Sequence, residues 1–517
     1  MGMGAGSWLL AAAAAAGLLA GAAPGAAAAR PAAAAAAGAA AGAGGRAAGG
    51  GAGAGAPPGA GPVEQLRTAY GDDPARGFRA AWSSRDASAP DGWAVWRRAG
   101  AGLPGHPVVA AGEPVAFGGA QVRRHSAGLL DPNVQWLLTA RADGLEPDTD
   151  YAYAVGCRLG GADGLAAGGG GRLGGRPAVR PEDCLSALHA FTTAPRPGEV
   201  PGRRPLRVAV YGDMGVKNGR SLPRLKALAA AERLTAVMHV GDLAYNMWED
   251  SGRRSDVFLE GVSPVAASVP YHVCPGNHES FRDFAEYRAR FDGTMPNQGP
   301  GAMWHGFDLG PVHFVMFSSE VFFYGTRHGW GLVPAQHRWM RRHLAAVDRA
   351  KTPWLVTMAH RPMYCSPNDD LDDCHGRHSL VRDGLPHFNT LGYEELLQEF
   401  RVDLHVGAHE HSYERTWPVF RGEVGGTGGG AYDAPAGQDW LGKTVHLVAG
   451  AAGCRENTDP WLGKPGRFSA TRLNGYGFGL LRASRTELEF EQVDHATGEV
   501  VDTFTITKPA SAFARAD

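Results

Sequence analysis

Five short clusters in this chain carry side chains suited to binding metal ions: Gly212-Asp213-Met214-Gly215, Gly241-Asp242-Leu243-Ala244-Tyr245, Gly276-Asn277-His278-Glu279, Ala359-His360-Arg361-Pro362 and Ala408-His409-Glu410-His411. Carboxylate, phenol, amide and imidazole groups are all metal donors. Each cluster alone is a weak signal. A Gly-Asp at a strand end is ordinarily a turn or cap, and a single His is more often a satisfied core residue than a ligand. All five in this order, each after a strand-like run, are hard to obtain by chance.

The runs that must position them are Leu206 to Tyr211, Ala236 to Val240, Tyr271 to Val273, Val312 to Phe317, Trp354 to Met358 and Val402 to Val406. Short apolar runs separated by helical stretches signal βα units around a buried, partly parallel sheet. In open α/β sheets, sites assemble in the crevice beyond the carboxyl ends of the strands. A second β pattern from Thr444 to Thr507 closes this region, predicted to span residues 206–509. Upstream, residues 63–197 have another texture. The runs Phe78 to Trp82, Gly92 to Arg97, Val134 to Ala140, Asp150 to Val155 and Leu188 to Thr192 read as strands at sandwich spacing. The turn Leu145-Glu146-Pro147-Asp148-Thr149-Asp150-Tyr151 followed by Tyr153 resembles fibronectin type III modules, and the Gly-rich insert from Leu159 to Arg176 reads as a flexible hairpin tip. Residues 198–205 are a linker and 510–517 a tail.

Charge and composition narrow the function. Fifty basic side chains against 52 acidic ones give a net charge of −2, no field for gripping a polyanion, so nucleic acid is excluded as the main partner. Residues 1–62 are almost entirely Ala, Gly and Pro. The apolar stretch from Trp8 to Leu19 and the small residues Ala20-Gly21-Ala22 predict a signal peptide over 1–29, although no positive residue precedes Trp8. Residues 30–62 lack large apolar side chains and are expected to stay disordered. No later run reaches the ~20 apolar residues of a membrane span. A secreted or vacuolar location is the expectation, and the oligomeric state is open. The six cysteines form no CxxC pair, against a zinc knuckle or thioredoxin-type site. Cys365 with Cys374, or Cys157 with Cys184, could each staple a loop, with other pairings open on paper. No Asn begins an N-x-Ser/Thr sequon.

Together the five clusters resemble those of the calcineurin-like metallophosphoesterases, and within them the longer purple acid phosphatases, over roughly residues 63 to 509. Sister groups carry Asp-x-His at the first cluster; here Gly215 stands where that His would be, and Tyr245 fills the gap. The resemblance implies an α/β fold: a fibronectin III-like β-sandwich followed by a βαβ metallophosphoesterase sandwich, two mixed sheets flanked by helices. It implies Asp213, Tyr245 and His411 on a ferric ion, Asp242 bridging, and Asn277, His360 and His409 on a divalent zinc, manganese or iron. Hard anionic oxygens stabilise Fe(III), and phenolate-to-iron charge transfer gives colour. The implied reaction is hydrolysis of small phosphate monoesters by a metal-bound hydroxide, with an acidic optimum. Ala408-His409-Glu410-His411-Ser412-Tyr413-Glu414-Arg415 is similar to the animal-type branch, as is the Cys365/Cys374 pair around Asp372-Asp373.

His278 matches the family's His that contacts phosphate and assists proton transfer. A further site His usually follows the His360 cluster; His375 and His378 are the candidates, His378 the favoured one. A phosphodiesterase or nucleotide pyrophosphatase on the same core is the alternative, and an inert β-sandwich adhesion protein the second. Arg338, Arg341, Arg342 and His343 read as a solvated helix face, and Trp304, Trp330, Trp339 and Trp354 as core or helix anchors.

Overall fold

Large apolar side chains alternate along the N-terminal strands, so one face of each is committed to a shared core. Phe78, Trp82, Trp93, Val95, Tyr151, Tyr153 and Phe191 meet there, with the Phe78 and Phe191 rings stacked 3.8 Å apart. The computed structural model describes residues 63–98, 115–125, 135–158, 180–200, 205–324, 330–366, 374, 378–385, 390–427, 432–435, 438–461 and 463–510. The expected signal peptide, the 30–62 segment, the Gly-rich insert, His375 and most of the 510–517 tail lie outside these residues. Two four-stranded antiparallel sheets form the sandwich. One has the order Glu64–Tyr70, Phe78–Ser84, Gln135–Ala142, Gln121–His125. The other has the order Ala116–Gly119, Gly92–Arg97, Asp150–Cys157, His189–Thr192, and the Cys157–Cys184 disulfide ties its end.

Glu64–Tyr70 escapes the sequence reading because both its faces are buried. Its polar side chains face the second half of the chain: Thr68 Oγ1 donates to the Ala266 carbonyl at 2.8 Å, and the Arg67 guanidinium donates to the Arg290 carbonyl. Exposed Gln121–His125 lacks the apolar alternation that marks a half-buried strand.

Beyond Leu206 two mixed sheets pack face to face. The first has the order Tyr271–Cys274, Ala236–Val240, Val208–Tyr211, Gly477–Ala483, Glu487–Asp494, Val500–Thr507, its first three strands parallel. The second has the order His305–Leu309, Val312–Met316, Trp354–Met358, Leu404–Gly407, Val445–Ala449, Tyr413–Thr416, Ser469–Leu473, with four central parallel strands. Val208, Val210, Met238, Phe314, Val356 and Val406 fill the space between the sheets. Helices Arg253–Ala266 and Leu332–Ala345 bury Phe258, Leu259, Met340 and Leu344 in the outer core. Three adjacent strands of the first sheet and two of the second therefore end together, and the five clusters follow those ends. Arg338, Arg341 and Arg342 are exposed as expected, but His343 is half-buried with its Nε2 2.9 Å from His313 Nε2. Trp304 and Trp354 are buried anchors, whereas Trp330 is exposed.

Candidate metal centre

The clusters converge into two touching groups of donors. In the first, the Tyr245 hydroxyl lies 2.9 Å from Asp213 Oδ1 and 2.8 Å from His411 Nε2. In the second, His360 Nε2 lies 2.9 Å from Asn277 Oδ1 and 3.3 Å from Asp242 Oδ2, and donor atoms of Asp242, His360 and His409 lie within 4.8 Å of one another. The groups are locked together, since Asp213 Oδ2 accepts the His409 backbone N–H at 2.9 Å.

Tight turns aim these side chains inward. Asp213, Asp242, Tyr245 and His409 have φ of 59°, 50°, 45° and 69°, left-handed values that non-glycine residues hold only where the surroundings enforce them. Glycines clear the space. A Cβ on Gly241 would lie 2.4 Å from His360 Nδ1, and one on Gly276 2.2 Å from Asp242 Oδ1. Position 215 faces the phenol: a Cβ there would stand 3.2 Å from Tyr245 Cδ2. Buried Glu279 clamps two of the loops, accepting backbone N–H groups of Asp242 and Gly276 at 2.9 Å and of Leu243 at 3.0 Å.

The protein groups alone leave this pocket short of positive charge. Burial by itself lowers the His360 pKa, but Asp242 and Asp213 outweigh it and lift the imidazole to about 10. His411, also buried, is lifted to about 12 by Asp213 and Cys454. Burial and the neighbouring carboxylates push the Tyr245 phenol well above its ordinary value. Two carboxylates, a phenol, an amide and three imidazoles in contact are a donor set that cations satisfy, with the phenol paired to Asp213 on one side and the Asn277 amide beside His360 on the other. The residues fit a metal pair.

His278 stands at the edge of this pocket. Its ring centre is 4.4 Å from that of Tyr245, its backbone N–H donates to Asp242 Oδ1 at 3.0 Å, and its Nδ1 meets Asn246 Oδ1. Asn246 commits its amide N–H to Glu249 at 2.7 Å, so its oxygen accepts and the proton resides on His278 Nδ1. His278 Nε2 is left 3.7 Å from Asp242 and 3.9 Å from Glu456. His378 is exposed, its Nδ1 4.0 Å from Asp383 Oδ2. Cys365 and Cys374 are disulfide-bonded, while Cys274 and Cys454 are buried free thiols. Sequence reasoning missed Asn246, Glu249 and Arg361, whose Nη1 lies 2.9 Å from His409 Nε2. Their positions beside Tyr245 and His360 were the available signal.

Comparison with known proteins places the chain in a family. Residues 206–413 match the calcineurin-like phosphoesterase family, and residues 443–503 match the family described as iron/zinc purple acid phosphatase-like protein C. Fold and donors define a calcineurin-like metallophosphoesterase. Mouse acid phosphatase type 7 is 43% identical over 308 residues, covering 59% of this chain and 68% of the mouse protein. A barley nucleotide pyrophosphatase/phosphodiesterase is 28% identical over 357 residues, covering 62% of this chain and 86% of its own. The purple acid phosphatase PPD1 of yellow lupin shares the fold, with a TM-score of 0.64 at 20% identity over 88% of this chain and 76% of the lupin chain. The chain belongs to the purple acid phosphatase family, whose sites are binuclear, and it is a phosphatase. Among the described residues no helix is long and apolar enough to cross a membrane.

Proposed function

We propose that this chain hydrolyses phosphate monoesters at an Fe(III)–M(II) centre, M being zinc, manganese or iron. Asp213, Tyr245 and His411 would hold the ferric ion, Asn277, His360 and His409 the divalent ion, and Asp242 would lie between them. The observation that carries the reading is the contact of these two donor groups, with the phenol in one and the amide and two imidazoles in the other. Bound there, the cations would neutralise a phosphate dianion, activate water for attack at phosphorus and stabilise the leaving oxygen. The protein's own contribution is positional. Glu279 fixes the loops bearing Asp242 and Asn277, so the donors need no rearrangement to receive charge. Asn246 fixes the His278 tautomer, turning Nε2 toward the pocket, where its protonated form can give a proton to a departing alkoxide. The two disulfides fit an oxidising compartment, supporting the secreted or vacuolar reading.

The barley relative's name favours a second reading, a diesterase on the same donors. Parallel assays with p-nitrophenyl phosphate and its bis ester on iron- and zinc-loaded protein at pH 5 separate the two. Monoester turnover dominating supports the proposal, and dominant diester turnover overturns it.

A further inference from the structure

Arg361 follows His360 directly, and its side chain is held at every point but its tip. Its backbone N–H donates to Ser319 Oγ at 2.9 Å, its Nε donates to Glu320 at 3.0 and 3.2 Å, and the guanidinium lies 4.1 Å over the Phe323 ring. Glu320 is fully buried, so the ion pair anchors the inner edge of the guanidinium. The outer edge faces the candidate centre, where Nη1 is 2.9 Å from His409 Nε2, and Nη2 has no partner among the described residues. The His409 nitrogen has one lone pair. It can accept from Arg361 or bind a cation, not both, so with His409 holding a metal Nη1 would be freed. An N–H donor on a rigid stem would then stand free beside the pocket, with Nη2 next to it on the same planar guanidinium, a group that suits phosphate oxygens.

We propose that Arg361 binds the substrate's phosphoryl group and sets the preference for monoesters over diesters. This inference rests on the phosphatase reading above and adds the group that reads substrate charge. The Arg361–Glu320 pair is net neutral, so it acts at contact range through directed N–H groups. A monoester presents three terminal oxygens and a diester two. The third oxygen is the one that a donor outside the donor cluster can recognise, and a diester puts an ester group in its place.

The test uses the full-length metal-loaded protein with Arg361→Gln, and a Glu320→Gln/Arg361→Gln double variant that avoids stranding a buried carboxylate. Metal content, orthophosphate affinity by titration calorimetry, and kcat/KM for p-nitrophenyl phosphate and its bis ester are measured. Losing a charge-assisted hydrogen bond predicts an orthophosphate affinity lower by about 10- to 100-fold in at least the double variant, at wild-type metal content. The monoester-to-diester ratio of kcat/KM falls by a similar factor. Unchanged orthophosphate affinity, equal losses on both esters, or loss of metal in the double variant would overturn the role assigned to Arg361. A wild-type protein that turns over diesters preferentially while its orthophosphate affinity depends on Arg361 would instead refute the monoesterase reading and keep the phosphate contact.

Discussion

Acid should unfold this protein through its own core. His239, His272, His305, His405 and His446 are buried at 2% exposure or less. Burial lowers the pKa of His239, His305 and His405 to about 3, and drives His272 and His446 well below the ordinary value. His305 has neither ring nitrogen bonded, and its ring lies beside those of His272 and Phe307, 5.7 and 6.2 Å away between centres. In the unfolded chain each titrates near ~6.5. Between that value and about 3 the unfolded state binds more protons than the native one, so stability falls as pH falls, by about 1.4 kcal/mol per pH unit per histidine. From pH 6.5 to 5 each of His239, His305 and His405 removes roughly 2 kcal/mol, together roughly 6, a large part of the ~5–15 kcal/mol of a typical folded domain, and His272 and His446 act in the same direction. The acid limb of the pH–activity profile should therefore be set by unfolding. Urea denaturation from pH 7 to pH 4.5 measures this, and His305→Phe, which keeps a ring against Phe307, should flatten the slope by about 1.4 kcal/mol per pH unit. Stability that does not change between pH 7 and 5, or an unaltered slope in His305→Phe, would refute the reasoning.

Three shorter predictions concern the candidate site and its loops. Tyr245→Phe should bleach a visible charge-transfer band while circular dichroism stays unchanged; a retained band takes Tyr245 off the iron. His278→Ala should lower kcat about 100-fold or more at full metal content, and Asn246→Ala should reproduce part of that loss by freeing the ring; full activity in both reduces them to structural residues. Cys365→Ser should add one titratable thiol under denaturing conditions, from Cys374, and no additional thiol would contradict the disulfide.

The seven candidate donors stand out in the sequence because each follows a strand end, often behind a small residue that admits a tight turn. Ala236–Val240 and Trp354–Met358 coincide with the apolar runs that predicted them, since a strand buried on both faces is apolar throughout. What stayed hidden depends on distant pairing. Glu279 reaches back across some three dozen residues to Asp242, and Arg361 acquires its place only because Glu320 and Phe323 arrive from another loop. Periodicity carries no record of such contacts. His343 was misread for the same reason: on helix Leu332–Ala345 it looks solvated, but strand Val312–Met316 brings His313 against it.

The most direct test is anomalous diffraction at the iron and zinc edges from crystals of protein grown iron-replete without chelator. Two peaks should flank the Asp242 carboxylate, the iron beside Tyr245 and His411 and the divalent ion beside Asn277, His360 and His409. A single peak, or two placed away from Asp242, would contradict the binuclear assignment.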